Sequence, residues 1–152
     1  MPHKVTIYTD GAASGNPGPG GFGVVMISGE HRKEISGGYQ LTTNNRMELL
    51  AVITGLEALK SDYCKVTIYT DSRYVSDAVG KGWVFAWEKK DFKGKKNPDL
   101  WKRFLHIYRA HQVSIIWIKG HASCTENERC DALAVAASQR KNLIADNGYM
   151  GI

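Results

Sequence analysis

The hydrophobic pattern along the chain switches between two periods. Residues 5–10 (Val-Thr-Ile-Tyr-Thr-Asp) are rich in β-branched and aromatic side chains and end at Gly11, which predicts a strand. Residues 11–21 carry glycine at 11, 15, 18, 20 and 21 together with Pro17 and Pro19, the composition of a turn-rich loop. The apolar run 22–28 reads as a buried strand, and Ser28-Gly29 turns it into a third strand over about 33–40. Thr43-Asn44-Asn45 offers cap residues for a helix reaching to about Lys60, with Leu49, Val52, Ile53, Leu56 and Leu59 at helical spacing. Residues 65–71 form another strand and a short helix runs to about Val79. A basic, aromatic segment precedes a helix over about 99–111, and 113–118 is the fifth strand. Thr125-Glu126-Asn127-Glu128 has the form of a capping box and opens a helix to about Arg140, after which the pattern is irregular. Three strands in a meander followed by helix-separated strands predict an α/β domain. Its five-stranded mixed sheet joins an antiparallel three-strand meander to two parallel strands, with helices on both faces.

Composition narrows the class. The chain has 152 residues, which predicts one domain over 1–152. With 43% hydrophobic and 23% charged residues it is neither a disordered, a collagen-like nor a coiled-coil sequence. No run approaches 18 apolar residues and no hydrophobic leader region opens the chain, so a cytoplasmic protein without a membrane partner is expected. Cys64, Cys124 and Cys130 are an odd set without paired metal spacing, which favours reduced thiols.

The net charge of +5 is concentrated in one stretch. Residues 80–103 hold eight bases and three acids, and the rest of the chain balances. A local basic patch is the footprint of a protein that grips a phosphate backbone. The same stretch carries Trp83, Phe85, Trp87, Phe92 and Trp101, and such rings can stack on sugars or bases.

The hexapeptide of residues 5–10 recurs unchanged at 66–71. Side chains alternate along a strand, so in each copy Thr, Tyr and Asp share one side. If the copies are parallel neighbours in register, Asp10 and Asp71 point the same way on backbones roughly 4.8 Å apart. Ligands of open α/β sheets bind outside the carboxyl ends of parallel strands. Two carboxylates so placed repel by about 4 kcal/mol at an effective dielectric near 20, and a divalent cation reverses that sign. Either aspartate could instead be a local cap, Asp10 of the glycine loop and Asp71 of the helix starting at Ser72. Glu48, Asp131 and the loop residue His121 are further candidates of ambiguous placement.

Taken together, the motifs Tyr8-Thr9-Asp10-Gly11, Gly15-Asn16-Pro17-Gly18-Pro19-Gly20-Gly21 and Thr42-Thr43-Asn44-Asn45-Arg46-Met47-Glu48-Leu49 resemble the type 1 ribonuclease H family. Thr70-Asp71-Ser72-Arg73-Tyr74-Val75, Gly120-His121-Ala122 and Glu126-Asn127-Glu128-Arg129-Cys130-Asp131 follow in family order. The resemblance implies a ribonuclease H-like fold and hydrolysis of the RNA strand of RNA/DNA hybrids, leaving 5′-phosphate and 3′-hydroxyl ends. It implies two Mg²⁺ ions, with Mn²⁺ as a substitute, on Asp10, Glu48, Asp71 and Asp131, and His121 assisting proton movement or product release. By the same resemblance the RNA strand is read by the backbone near Gly11 and Ala12 and by Asn16, Asn44, Asn45 and Glu48. Thr43 holds a DNA-strand phosphate. A basic protrusion over about 81–97 carries Trp83 and Trp87 towards the DNA, with Lys89, Lys90, Lys93, Lys95 and Lys96 supplying charge.

Arg73 stands where many relatives carry an uncharged polar residue, and Ser123-Cys124-Thr125 departs from the familiar histidine loop. A monomer with a flexible tail over about 142–152 is expected. The alternatives are a catalytically silent hybrid-binding module and another nuclease of the same fold. Retention of all four acids argues against the first, and the glycine loop together with the protrusion argues against the second.

Overall fold

Among the described residues, five strands and five helices follow in the predicted order, with one helix, over Trp83–Lys89, inside the segment read as basic and aromatic. The computed structural model describes residues 3–119 and 125–149. Strands β1 (His3–Ala13), β2 (Gly18–Ser28) and β3 (His31–Thr42) form the antiparallel meander, and α1 (Asn44–Glu57) leads to β4 (Cys64–Thr70). Helices α2 (Arg73–Gly80), α3 (Trp83–Lys89) and α4 (Pro98–Tyr108) precede β5 (Gln112–Trp117), and α5 (Thr125–Ser138) follows it. The sheet order is β3-β2-β1-β4-β5, with β4 parallel to both β1 and β5. Among the described residues no helix is long and apolar enough to cross a membrane.

The repeated hexapeptides are neighbours in register: Val5 pairs with Val66, Ile7 with Ile68 and Tyr8 with Tyr69. The two tyrosine rings stack with centroids 5.1 Å apart, while Ile7 and Ile68 are fully buried on the other face. Helix α1 packs on that face. Ten of its fourteen residues are buried, because α4 covers it from outside with Trp101 and Phe104. Its cap is as expected: the Thr43 hydroxyl accepts the Arg46 N–H.

The glycine loop is shorter than its composition suggests. β1 and β2 stay paired through Gly11–Phe22, Ala12–Gly21 and Ala13–Gly20, leaving only residues 14–17 to turn. Here glycine serves close approach. A Cβ on Gly11 would lie 2.4 Å from the α1 backbone at Glu48, and one on Gly23 would lie 2.3 Å from the Cys130 carbonyl of α5. Residues 11 and 23 project to opposite faces, so the two helices seat directly on the sheet from either side. Gly23→Ala is expected to cost about 1–3 kcal/mol by pushing α5 away, read as a lower thermal midpoint.

Part of the stretch after α5 bonds back to the sheet and to α1. The Gln40 amide donates to the Ile144 carbonyl and its side chain to the Leu143 carbonyl. Arg46, fully buried, donates to both carboxylate oxygens of Asp146 and to both of Asp99. These contacts cannot be anticipated from the irregular pattern after residue 140, since a buried arginine is rare and its partners lie 53 and 100 positions away.

Candidate active site

Pairing between β1 and β4 stops at Tyr8–Tyr69, and both chains continue past it to an aspartate. Asp71 does not cap α2. That role belongs to Ser72, whose hydroxyl accepts the Val75 N–H while the Ser72 N–H donates to the Thr70 hydroxyl. Asp10 accepts the Gly11 N–H at 2.9 Å, a local contact that still leaves its second oxygen available. Glu48 arrives from α1 because Gly11 lets that helix touch β1. The carboxylates of Asp10, Glu48 and Asp71 offer oxygens that all lie within 4.8 Å of one another, with Asp10 and Glu48 buried.

Three negative groups this close are held against their own repulsion. Burial first, and then the charge of Asp71, pushes the Asp10 carboxyl from 3.8 up to about 7. Glu48 is driven well above its usual range by burial and by the charges of Asp10 and Asp71. Its Oε1 is buried with no hydrogen-bond partner among the described residues. An orphaned carboxylate oxygen facing two more carboxylates is a donor set suited to a hard divalent cation. Without a cation, protons must do the neutralising.

The surroundings extend this centre in two directions. Asp131 of α5 lines a cavity with Asp10, Gly11, Asp71, Asn127 and Glu128, so it faces the same centre from the opposite side of the sheet but stands outside the group of three. On the other flank, a cavity of about 610 Å³ is walled by the backbone of Gly11 and Ala12, by Asn44 and Asn45, and by Ser72 and Arg73. The Asn44 N–H donates to the Asn16 Oδ1, and the Ala13 N–H to the Asn44 Oδ1, joining the 14–17 turn to the start of α1. Asn45 also lines the neighbouring cavity, which holds Asn16, Thr43, Lys95 and Lys96. His121 lies outside the described residues.

The sequence pattern that defines the RNase H family matches residues 2–139. The chain belongs to the RNase H family. Ribonuclease H of Syntrophus aciditrophicus is 56% identical over 151 residues, covering 96% of this chain and 87% of that relative. Among solved structures, LC9-RNase H1, described as a type 1 RNase H with the type 2 active-site motif, superposes with a TM-score of 0.82 at 32% identity. That match covers 91% of this chain and 73% of the other. LC11-RNase H1, solved in complex with an RNA/DNA hybrid, superposes with a TM-score of 0.67 at 28% identity, covering 88% and 95%. This RNase H is a divalent-metal-dependent ribonuclease that degrades RNA/DNA hybrids.

The basic protrusion of this RNase H consists of α3 and the segment to Asn97. Lys89, Lys90, Lys93, Lys95 and Lys96 are exposed and form no ion pair among the described residues, whereas Lys81, Lys102 and Arg103 do. Trp83 is 46% exposed. Trp87 is more enclosed: it meets the buried Trp101 edge-on at 5.9 Å and carries Lys95 over its face at 5.1 Å, so it roots the protrusion in the core. Sequence reasoning missed Asn127, whose buried Nδ2 has no hydrogen-bond partner among the described residues and which lines the Asp131 cavity. Its signals in the sequence are its place inside the capping box and inside the motif that ends at Asp131.

Proposed function

We propose that this RNase H cuts the RNA strand of a hybrid by two-metal-ion hydrolysis, with Mg²⁺ on Asp10, Glu48, Asp71 and Asp131, leaving 5′-phosphate and 3′-hydroxyl ends. The observation that carries the assignment is the convergence of three carboxylates from β1, α1 and the end of β4, one with an orphaned buried oxygen. When bound, the ions supply an activated water and stabilise the departing oxygen. The chain's own residues place the substrate. The Gly11 and Ala12 backbone with Asn16, Asn44, Asn45 and Glu48 faces the RNA strand, whose 2′-hydroxyls distinguish it from DNA. Thr43 and the lysines of the protrusion take phosphates of the DNA strand, Trp83 and Trp87 flank it, and Arg73 meets the RNA strand near the cut. His121 receives or delivers the proton at the leaving group. The protein acts as a monomer in the cytosol.

Incubation with labelled hybrid, duplex DNA and duplex RNA, with and without Mg²⁺, tests the assignment. Only the hybrid with metal should be cut, and duplex DNA cut at the same rate would overturn it. Replacing the five unpaired lysines by alanine should weaken hybrid binding and flatten its salt dependence by up to about four in log–log slope. An unchanged slope would mean these lysines are only solvated.

A further inference from the structure

Arg73, which lines the carboxylate cavity, is stacked on Trp117. The guanidinium carbon lies 3.7 Å from the indole centroid. The same indole also reaches the backbone of Asp71: Trp117 pairs in register with Thr70, and its Nε1–H donates to the Asp71 carbonyl at 3.1 Å. The backbone around Asp71 is therefore held from two sides, by the Ser72–Thr70 side-chain turn and by this indole. Arg73 is the lone cation among the described residues that line the cavity shared by Asp10, Glu48 and Asp71. Among the described residues it makes no ion pair, although the same cavity is lined by three carboxylates. A guanidinium stacked on a ring keeps its N–H fork free for a phosphate.

We infer that Trp117 is a positioning residue with two separable duties. Its ring face aims Arg73 at a phosphodiester of the RNA strand, and its N–H fixes the backbone that carries the Asp71 ligand. The first duty rests on the hybrid-cleaving reading above; the second needs only the carboxylate centre. Trp117 is 37% exposed on the edge strand β5, so its replacement leaves little cavity.

Two readouts on Trp117→Leu, Trp117→Phe and Arg73→Ala separate the duties. One is the salt dependence of binding to a labelled hybrid in Ca²⁺, and the other is Mn²⁺ affinity of the free enzyme by calorimetry. W117L should lower the log–log salt slope by up to about one, as R73A does, and weaken binding about threefold. Combining the two substitutions should add nothing further to the binding loss. W117L should also weaken Mn²⁺ binding roughly three- to tenfold, the range of one lost hydrogen bond, whereas R73A should not weaken it. W117F keeps a ring but no donor, so it should restore the slope and leave Mn²⁺ affinity low. Equal slope loss in W117F and W117L, or additive losses for R73A and W117L, would overturn the first duty. Mn²⁺ affinity in W117L within twofold of wild type would overturn the second. Failure of the wild-type protein to bind hybrid would instead remove the parent reading, and the calorimetric arm would still decide the second duty.

Discussion

Asp10→Asn is expected to abolish hybrid cleavage, by a factor on the order of a thousand or more, while making the metal-free protein more stable at neutral pH. Removing a carboxylate deprives the site of a cation ligand, yet without the cation it also relieves repulsion. The folded protein holds a proton on Asp10 up to about pH 7, while the unfolded chain releases it near 3.8. Between those values the native state binds more protons, so stability falls as pH rises through this window. Below about 3.8 the group contributes nothing; above about 7 its destabilising effect is complete, on the order of a few kcal/mol. Thermal melts in EDTA from pH 4 to 8 should show the asparagine variant pulling ahead as pH increases, with the gap closing at the acid end. Adding Mn²⁺ should raise the wild-type midpoint more than the variant's. A variant that melts lower than wild type at pH 8 without metal would show that these carboxylates are not held against one another.

The second large effect is structural. Asp146→Ala should destabilise the fold by about 3 kcal/mol, the cost of stripping one partner from a buried ion. Arg46 is 1% exposed and shares its five N–H groups between Asp99, Asp146 and Asn97. Burial alone would lower its affinity for its proton; the hydrogen bonds it donates to Asp99 and Asp146 reverse that and raise it. Losing Asp146 also releases Thr42, whose hydroxyl donates to the same carboxylate. For a chain of this length the midpoint should fall by roughly 6–12 °C. A fall of less than about 2 °C would mean that the tail contributes little.

What could be read from the sequence follows from how local each signal is. The parallel pairing of the two hexapeptides was legible because period-two patterning and identity along six positions specify both face and register, and that alone brought Asp10 and Asp71 to one end. Glu48 was not legible from periodicity. Its helix is enclosed by the sheet and by α4, so the apolar stripe at 49, 52, 53, 56 and 59 understates the buried face, which also takes in Leu50, Ala51 and Glu48 itself. Only resemblance put that residue with the aspartates. The 11–21 stretch reads as loop because glycine and proline usually signal turns, whereas Gly11 and Gly21 serve helix–sheet contact, one against the α1 backbone and the other against the Ala134 carbonyl of α5. Trp117 read as one more apolar strand residue, since nothing local tells an indole that packs from one that bonds the neighbouring strand.

Arg46 and Glu48 stand two positions apart on the same rigid rod, one gripping residue 146 and the other facing Asp10 and Asp71. A load on residue 146 therefore falls first on the helix that also carries Glu48. A surface tether attached beside residue 146 is expected to slow hybrid cleavage more than one attached beside His3, which turnover of the two immobilised preparations would check.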